Sequence, residues 1–474
     1  MKCGASEIMK KSYKTLTVYI IINLLSLFQI EAQNSLKGRI IDTVICTNHT
    51  DQSYTCYLPS GYSQKTKWPV ILIFDPGGQG TVAVQAFRKA AEKYGYILAC
   101  SNNSRNGPLN DNFKAAGNML NDLVGRFALD EKRICAAGFS GGSRFALALA
   151  STNNFITAVI GCGAGLPNDQ SLMPSEKSTF IYYGIAGNRD MNYLEMFDLM
   201  TFFNDRTPVI PYLRTFDGGH QWPSPEILQE AVEWINLQTM KKKIIALDTA
   251  YFSFCSKNVK NLVNSLVTSG KQYDAARYLR YAIRDFSGEP VARDLTRSLT
   301  AIEQSQDYKG SSLEWNNIAS QERVRNENYM SMLGKLLSSG SVPDTAAAWW
   351  RKEIGSLVMM KDNVNPRKSQ MASRLLNFIS ILCSEQGTSF FRQKKYDFSV
   401  FLFKVCTLSD SENKNNYYNL ARSLSGSDKK QEAIEALSKA YEHGLNSRKT
   451  VETEPAFINI RNDERYKSLL MKMK

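Results

Sequence analysis

The chain has 474 residues, more than the ~100–200 of a typical single domain, so two or more domains are expected. Hydrophobic residues make up 43% and charged residues 22%, a balance that allows a large core and argues against a disordered chain. The formal charge of +13 comes from Lys and Arg scattered along the chain; it implies a solvated basic surface, attraction to an anionic envelope or acidic glycan surface being the alternative, and without zinc-finger spacing or an RNP-like motif no nucleic-acid partner.

The first predicted element is an export signal over residues 1–32. Lys10, Lys11 and Lys14 form a basic n-region, residues 16–28 are mostly apolar, and Ala32 offers a small residue before cleavage at Gln33. Asn23 interrupts the apolar stretch, which falls short of the roughly 20 residues of a spanning helix. No stable membrane span is expected after signal removal, an uncleaved anchor being the alternative. The mature chain is expected in the periplasm or outside the cell. Of nine cysteines, Cys3 leaves with the signal. Cys46 and Cys56 flank a possible hairpin, where a disulfide is reasonable in an oxidising space. Cys100, Cys135 and Cys162 sit in apolar runs, as small buried hydrophobes do. With no C-x-x-C pair, neither a thiolate metal site nor a cofactor is expected.

Residues 38–238 alternate strand-like and helix-like segments, the pattern of an α/β sheet. Apolar runs at 70–74, 96–100, 133–137, 155–161, 179–183 and 213–216 predict strands, and the periodicity of 83–93, 113–127 and 143–150 predicts helices between them. Within this pattern Gly138-Phe139-Ser140-Gly141-Gly142 matches G-x-S-x-G. It follows a buried strand and opens an Ala-rich helix, the context a nucleophile elbow requires. A serine hydroxyl needs a base to become nucleophilic. Of three histidines, His220 lies in a Gly-rich loop after the last predicted strand, with Trp222 beside it to exclude water. The orienting acid belongs between Ser and His in chain order. Asp190, in the loop after the strand at 179–183, is the candidate, with Asp217 and Glu195 as competitors. The amide of Gly141 and one from Gly77, Gly78 or Gln79 would form the oxyanion hole.

A closing helix is predicted from Ser224 as N-cap, with Pro225 at its first position and Ile227, Leu228, Ala231, Val232 and Ile235 on one face. It ends near Lys241-Lys242-Lys243, which sets a catalytic domain of 33–240. Residues 244–474 read as helices only. A period of ~34 residues, that of tetratricopeptide units, brings Tyr417, Leu420, Ala421, Leu424, Ala433, Leu437 and Ala440 into the large and small positions of such a repeat. Looser copies begin at Cys383 and Val259, residues 290–370 fit poorly, and the tail from Glu454 to Leu470 reads as a terminal cap.

Tyr57-Leu58-Pro59-x-x-Tyr62, the run from Trp68 to Phe74, Gly-x-Ser-x-Gly and Gly-Gly-His-x-Trp-Pro together resemble secreted esterases of the α/β-hydrolase superfamily, in the polyhydroxybutyrate-depolymerase-like and feruloyl-esterase-like branch. The resemblance covers residues 38–238. It implies Ser140 as nucleophile, Asp190 as acid, His220 as base, and oxyanion contributions from Gly77, Gly78 and Gly141. Many relatives carry His-Gly after the first core strand where this chain has Asp75-Pro76, so a differently built oxyanion wall is expected. An acyl-enzyme acting on a small ester or acylated carbohydrate is the leading expectation. A serine peptidase of the same fold is an alternative. So is a catalytically silent binding protein that takes a protein partner on its helical repeats.

Overall fold

The computed structural model describes residues 36–338 and 340–474; the export signal expected over 1–32 lies outside them. The chain divides into two compact units. The first runs through Ala186 and adds Glu195–Phe216 and Gln221–Asn258, while the second takes Gly187–Leu194, Asp217–His220 and Val259–Lys474.

The first unit is built on an eight-stranded sheet. In chain order its strands are β1 (Ile40–Cys46), β2 (His49–Tyr57), β3 (Trp68–Phe74), β4 (Ile97–Ser101), β5 (Leu129–Phe139), β6 (Ile156–Cys162), β7 (Ile181–Gly187) and β8 (Ile210–Phe216). Across the sheet they run β1-β2-β4-β3-β5-β6-β7-β8. From β4 through β3, β5 and β6 to β7 every pairing is parallel, and β1-β2 and β2-β4 are antiparallel. Helices α1 (Gly80–Tyr94), α2 (Leu109–Arg126), α3 (Gly141–Thr152), α4 (Tyr193–Arg206) and α5 (Pro225–Lys241) alternate with the strands. This mostly parallel, helix-flanked sheet fits an α/β hydrolase. The parallel strands read as unbroken apolar runs because both faces are covered: Val70 to Phe74 and Ile97 to Cys100 are all buried. Helix α3 is buried nearly all round, which is why Ala and Leu fill it. Helix α1 ends at Gly95 in the left-handed region (φ 72°), where its amide closes on Ala91 O. Helix α5 starts from Ser224 with Pro225 at its head and buries Leu228, Ala231, Val232 and Ile235, the face the sequence predicted.

Two expectations change here. β1 and β2 do form a hairpin, but Cys46 pairs with His49 and Cys56 with Ile41. Both thiols are free and buried, so the disulfide drawn between them is absent. Further on, the first unit continues past the three lysines into α6 (Thr249–Thr268) as far as Asn258, beyond the boundary expected at 240–244.

The second unit continues with α7 (Gln272–Asp285), α8 (Pro290–Gln304), α9 (Gln306–Ser338), α10 (Asp344–Lys361), α11 (Pro366–Arg392), α12 (Tyr396–Ser409), α13 (Lys414–Gly426), α14 (Lys430–Glu442), α15 (Arg448–Glu452) and α16 (Glu464–Met471). Successive helices pack where side chains are small. A Cβ on Gly387 would lie 3.1 Å from the Phe403 ring, and Ser399 Oγ reaches Gly387 O at 2.9 Å. Tyr417, Leu420, Ala421, Leu424, Ala433, Leu437 and Ala440 are all buried. Residues 290–370 escape the 34-residue spacing for a simple reason: α9 alone is 33 residues long.

Candidate functional site

The turn from β5 to α3 is dictated by its glycines. A Cβ on Gly138 would fall 2.1 Å from Gly142 O, and one on Gly142 would fall 2.0 Å from Phe74 O. Only glycine lets the turn fold this tightly on itself and on the end of β3. Between them Ser140 is held at φ 53°, ψ −123°, a conformation an L-residue adopts only under constraint. Its amide donates to Cys162 O at 2.8 Å, while Ser143 and Arg144 donate back to Ser140 O and start the helix. Gly141 is the first residue of α3, so its N–H has no intrahelical acceptor and carries the positive end of the helix dipole.

The other expected oxyanion donors are differently placed. After β3, Asp75 Oδ1 accepts from Gly77 N at 2.8 Å and from Gln79 N at 3.1 Å, and Asp75 O accepts from Gly78 N at 3.1 Å. The amides of Gly77 and Gly78 are therefore committed inside their own loop, where the sequence had suggested open donors. Asp75 Oδ2 accepts the indole N–H of Trp222 at 2.9 Å. The Asp-Pro variation thus fastens the residue that follows the base loop, and the Trp222 ring packs against Phe87 and Phe139. A group the sequence reading missed lies beside the elbow. Asn106, whose amide is anchored on Pro76 O at 2.9 Å, lays its carboxamide against Gly141, with Oδ1 1.8 Å from where a Cβ there would be. No local pattern marks it, since it sits in a loop without periodicity.

The second unit contains the acid and base loops. His220 Nδ1 lies 3.0 Å from both carboxylate oxygens of Asp190. The Asp190 side chain is 1% exposed and His220 20%. Asn192 N donates to Asp190 Oδ1 at 2.9 Å, and Asp190 N and O close turns with Gly187 and Tyr193. A carboxylate on Nδ1 selects the imidazole tautomer whose Nε2 accepts a proton. The two loops meet backbone to backbone. A Cβ on Gly187 would lie 2.4 Å from Gly218 O, and Arg189 N donates to Gly218 O at 2.9 Å.

The competing acids have other partners. Asp217 is 76% exposed and pairs with Arg189 at 2.5 Å. Glu195 takes both arms of the Arg144 guanidinium, at 2.5 and 2.7 Å, and the Gly165 amide. His49 is exposed at the start of β2, and His443 stacks on Tyr417. Among the described residues no group of His, Cys, Asp and Glu is arranged to hold a metal ion.

Ser140 follows β5, Asp190 follows β7 and His220 follows β8. Strands β5, β6 and β7 run parallel, so their carboxyl ends share one edge of the sheet, and β8 neighbours β7.

No protein-family model matches the sequence, and no curated protein does either. Solved structures resemble it over part of its length. A feruloyl esterase module from Clostridium thermocellum, complexed with sinapinate, is 12% identical over 42% of this chain and 87% of its own, with a TM-score of 0.34. The Francisella virulence factor BioJ is 14% identical over 46% and 90%, with a TM-score of 0.35. An S-formylglutathione hydrolase from Agrobacterium tumefaciens is 15% identical over 39% and 88%, with a TM-score of 0.32.

Proposed function

We propose that this chain is an exported serine hydrolase that cleaves the carboxylic ester of a small or carbohydrate-borne acyl group through an acyl-enzyme on Ser140. In this reading Ser140 Oγ attacks the acyl carbon while His220 Nε2 takes its proton. The tetrahedral adduct collapses, the ester C–O bond breaks, and the alcohol leaves with the proton from His220. Water then gives a proton to His220 and attacks the acyl carbon; the carboxylic acid departs and Oγ regains its proton. Asp190 fixes the imidazole tautomer and stabilises the imidazolium formed in each half-reaction. The developing oxyanion is held by the Gly141 amide at the head of α3.

The observation that carries this reading is the backbone of Ser140, held at φ 53° between a buried strand and a helix N-terminus. An ordinary serine gains nothing from that strain, whereas a nucleophile gains exposure of its oxygen beside a positive dipole. Esters rather than peptides are the substrate class of this proposal, on the resemblance of the residues quoted in the sequence analysis to secreted esterases. The helical half, in the same proposal, is a tetratricopeptide-like array with a face for a protein partner, on the strength of its buried small residues at 34-residue spacing. Export rests on residues 1–32.

The test is hydrolysis of short-chain nitrophenyl esters by the purified mature protein, followed by acetylated, feruloylated and aliphatic esters. Ser140→Ala and His220→Ala should each lose turnover with little change in melting temperature. Wild-type turnover in the His220 variant would remove the base from the scheme.

A further inference from the structure

We infer that Arg374 and Asn377, on helix α11, are positioning residues for the acid of the site: they hold the backbone ahead of Asp190 so that its carboxylate stays aligned on His220. This rests on the serine-hydrolase reading above and deepens it, because it makes residues of the helical array part of what sets turnover.

The chain of contacts is short. Arg374 and Glu322 form an almost fully buried pair, 4% and 2% exposed, with Nε to Oε1 at 2.8 Å and Nη2 to Oε2 at 2.5 Å. That fork leaves Nη1, which donates to Asn188 O at 2.6 Å. One helical turn further on, Asn377 Nδ2 donates to Arg189 O at 3.2 Å. The two carbonyls immediately before Asp190 are thus gripped by two side chains of one helix face. On the other side of Asp190 the Tyr193 ring lies 4.7 Å from the Arg374 guanidinium carbon, and Tyr193 N donates to Asp190 O. The same loop is tied to the base loop through Arg189 N on Gly218 O and Gly218 N on Asn188 Oδ1.

A buried ion pair is a poor way to gain stability, because apolar side chains of similar volume pack about as well without desolvating two charges. It is a good way to aim a third hydrogen bond. Glu322 fixes the plane of the guanidinium, and Nη1 is then held in one place, against the Asn188 carbonyl. A lysine at this position would keep the charge but not the geometry. The residues gripped are those that must not drift, since misplacement of a reacting group by about 1 Å can cost a hundredfold in rate.

The test uses the full chain and a nitrophenyl ester, reading kcat and KM separately together with the rate of labelling by a fluorophosphonate probe. Replacing the whole pair, Arg374→Met with Glu322→Met, avoids stranding a buried charge. It should lower kcat and labelling rate together by about ten- to a hundredfold, leaving KM within about twofold. Arg374→Lys should recover part of that loss, and Asn377→Ala should lose roughly three- to tenfold by the same argument. If the double variant does not fold, Asn377→Ala decides. Folded variants with wild-type kcat and labelling, or with a change in KM alone, would overturn the inference while leaving the serine hydrolase standing. A wild-type protein that neither turns over esters nor takes the probe would sink that underlying reading, and the inference with it.

Discussion

Replacing Asp190 by asparagine isolates the role of the acid, because the new side chain has the same shape and one changed atom. The carboxylate accepts three hydrogen-bond approaches: His220 Nδ1 at 3.0 Å from each oxygen and Asn192 N at 2.9 Å from Oδ1. An amide can satisfy Asn192 only by turning its oxygen toward that N–H. Its NH2 then takes the place of Oδ2, 3.0 Å from His220 Nδ1; that contact is favourable only if Nδ1 accepts, so the tautomer with the proton on Nε2 gains. In that tautomer the ring cannot take a proton from Ser140. Where this substitution has the same consequence in other triads, the loss in kcat is about 10⁴, or about 5.4 kcal/mol at 1.36 kcal/mol per tenfold. The site loses a charge but keeps its packing, so the melting temperature should stay within about 3 °C, a ΔΔG of about 1 kcal/mol for a domain of this size. The assay is kcat on a nitrophenyl acetate, with Asp217→Asn as comparison. Asp217 is exposed and paired with Arg189, so its variant should stay within about threefold, as exposed pairs contribute little. Wild-type kcat in Asp190→Asn, or a full loss in Asp217→Asn alone, would refute the reasoning.

Other outcomes follow from the packing. Gly142→Ala places a Cβ 2.0 Å from Phe74 O; the cost should be about 3 kcal/mol or more, a fall of about 6–12 °C in melting temperature. Asp122 is pushed up by burial, but hydrogen bonds from Arg126, Thr47 and Tyr54 outweigh this and hold its carboxyl at about 2. A lowered acid stabilises the fold above its unfolded value, ~3.9, and that contribution is lost as pH falls toward about 2. Asp122→Asn should therefore be less stable at neutral pH, and its gap from wild type should close between about pH 4 and pH 2 in thermal melts. The eight described cysteines are free and buried, with Cys56 and Cys135 pushed up to about 12 by burial. Ellman's reagent at pH 8 should find none of these eight until the protein is denatured, and a non-reducing peptide map should recover Cys46 and Cys56 unlinked.

Much of the first unit was legible because its physics is local or periodic. Strands covered on both faces must be apolar, so β3, β4 and the second half of β5, from Ile134 on, announce themselves. The elbow is legible because Gly138 and Gly142 cannot carry a Cβ. Ser224 and Pro225 mark the head of α5 in the same direct way. The edge hairpin was harder to read: β1 and β2 are half exposed and carry Asp42 and Asp51, so they present no apolar run. The Gly77 and Gly78 amides illustrate a different failure. Their Asp-Pro-Gly-Gly setting signalled a turn, but the sequence does not say that Asp75 itself would occupy those donors, Gly77 N with its side chain and Gly78 N with its backbone carbonyl. Arg374 was beyond reach, since its partner Asn188 lies 186 positions away and neither residue belongs to a local motif.

Covalent labelling asks of the protein itself whether Ser140 is a nucleophile. The mature protein should react with a fluorophosphonate probe, and peptide mass spectrometry should find the adduct on Ser140 alone, with no labelling of Ser140→Ala. Equal labelling of the Ser140→Ala protein, or an adduct on any other residue, would contradict the account.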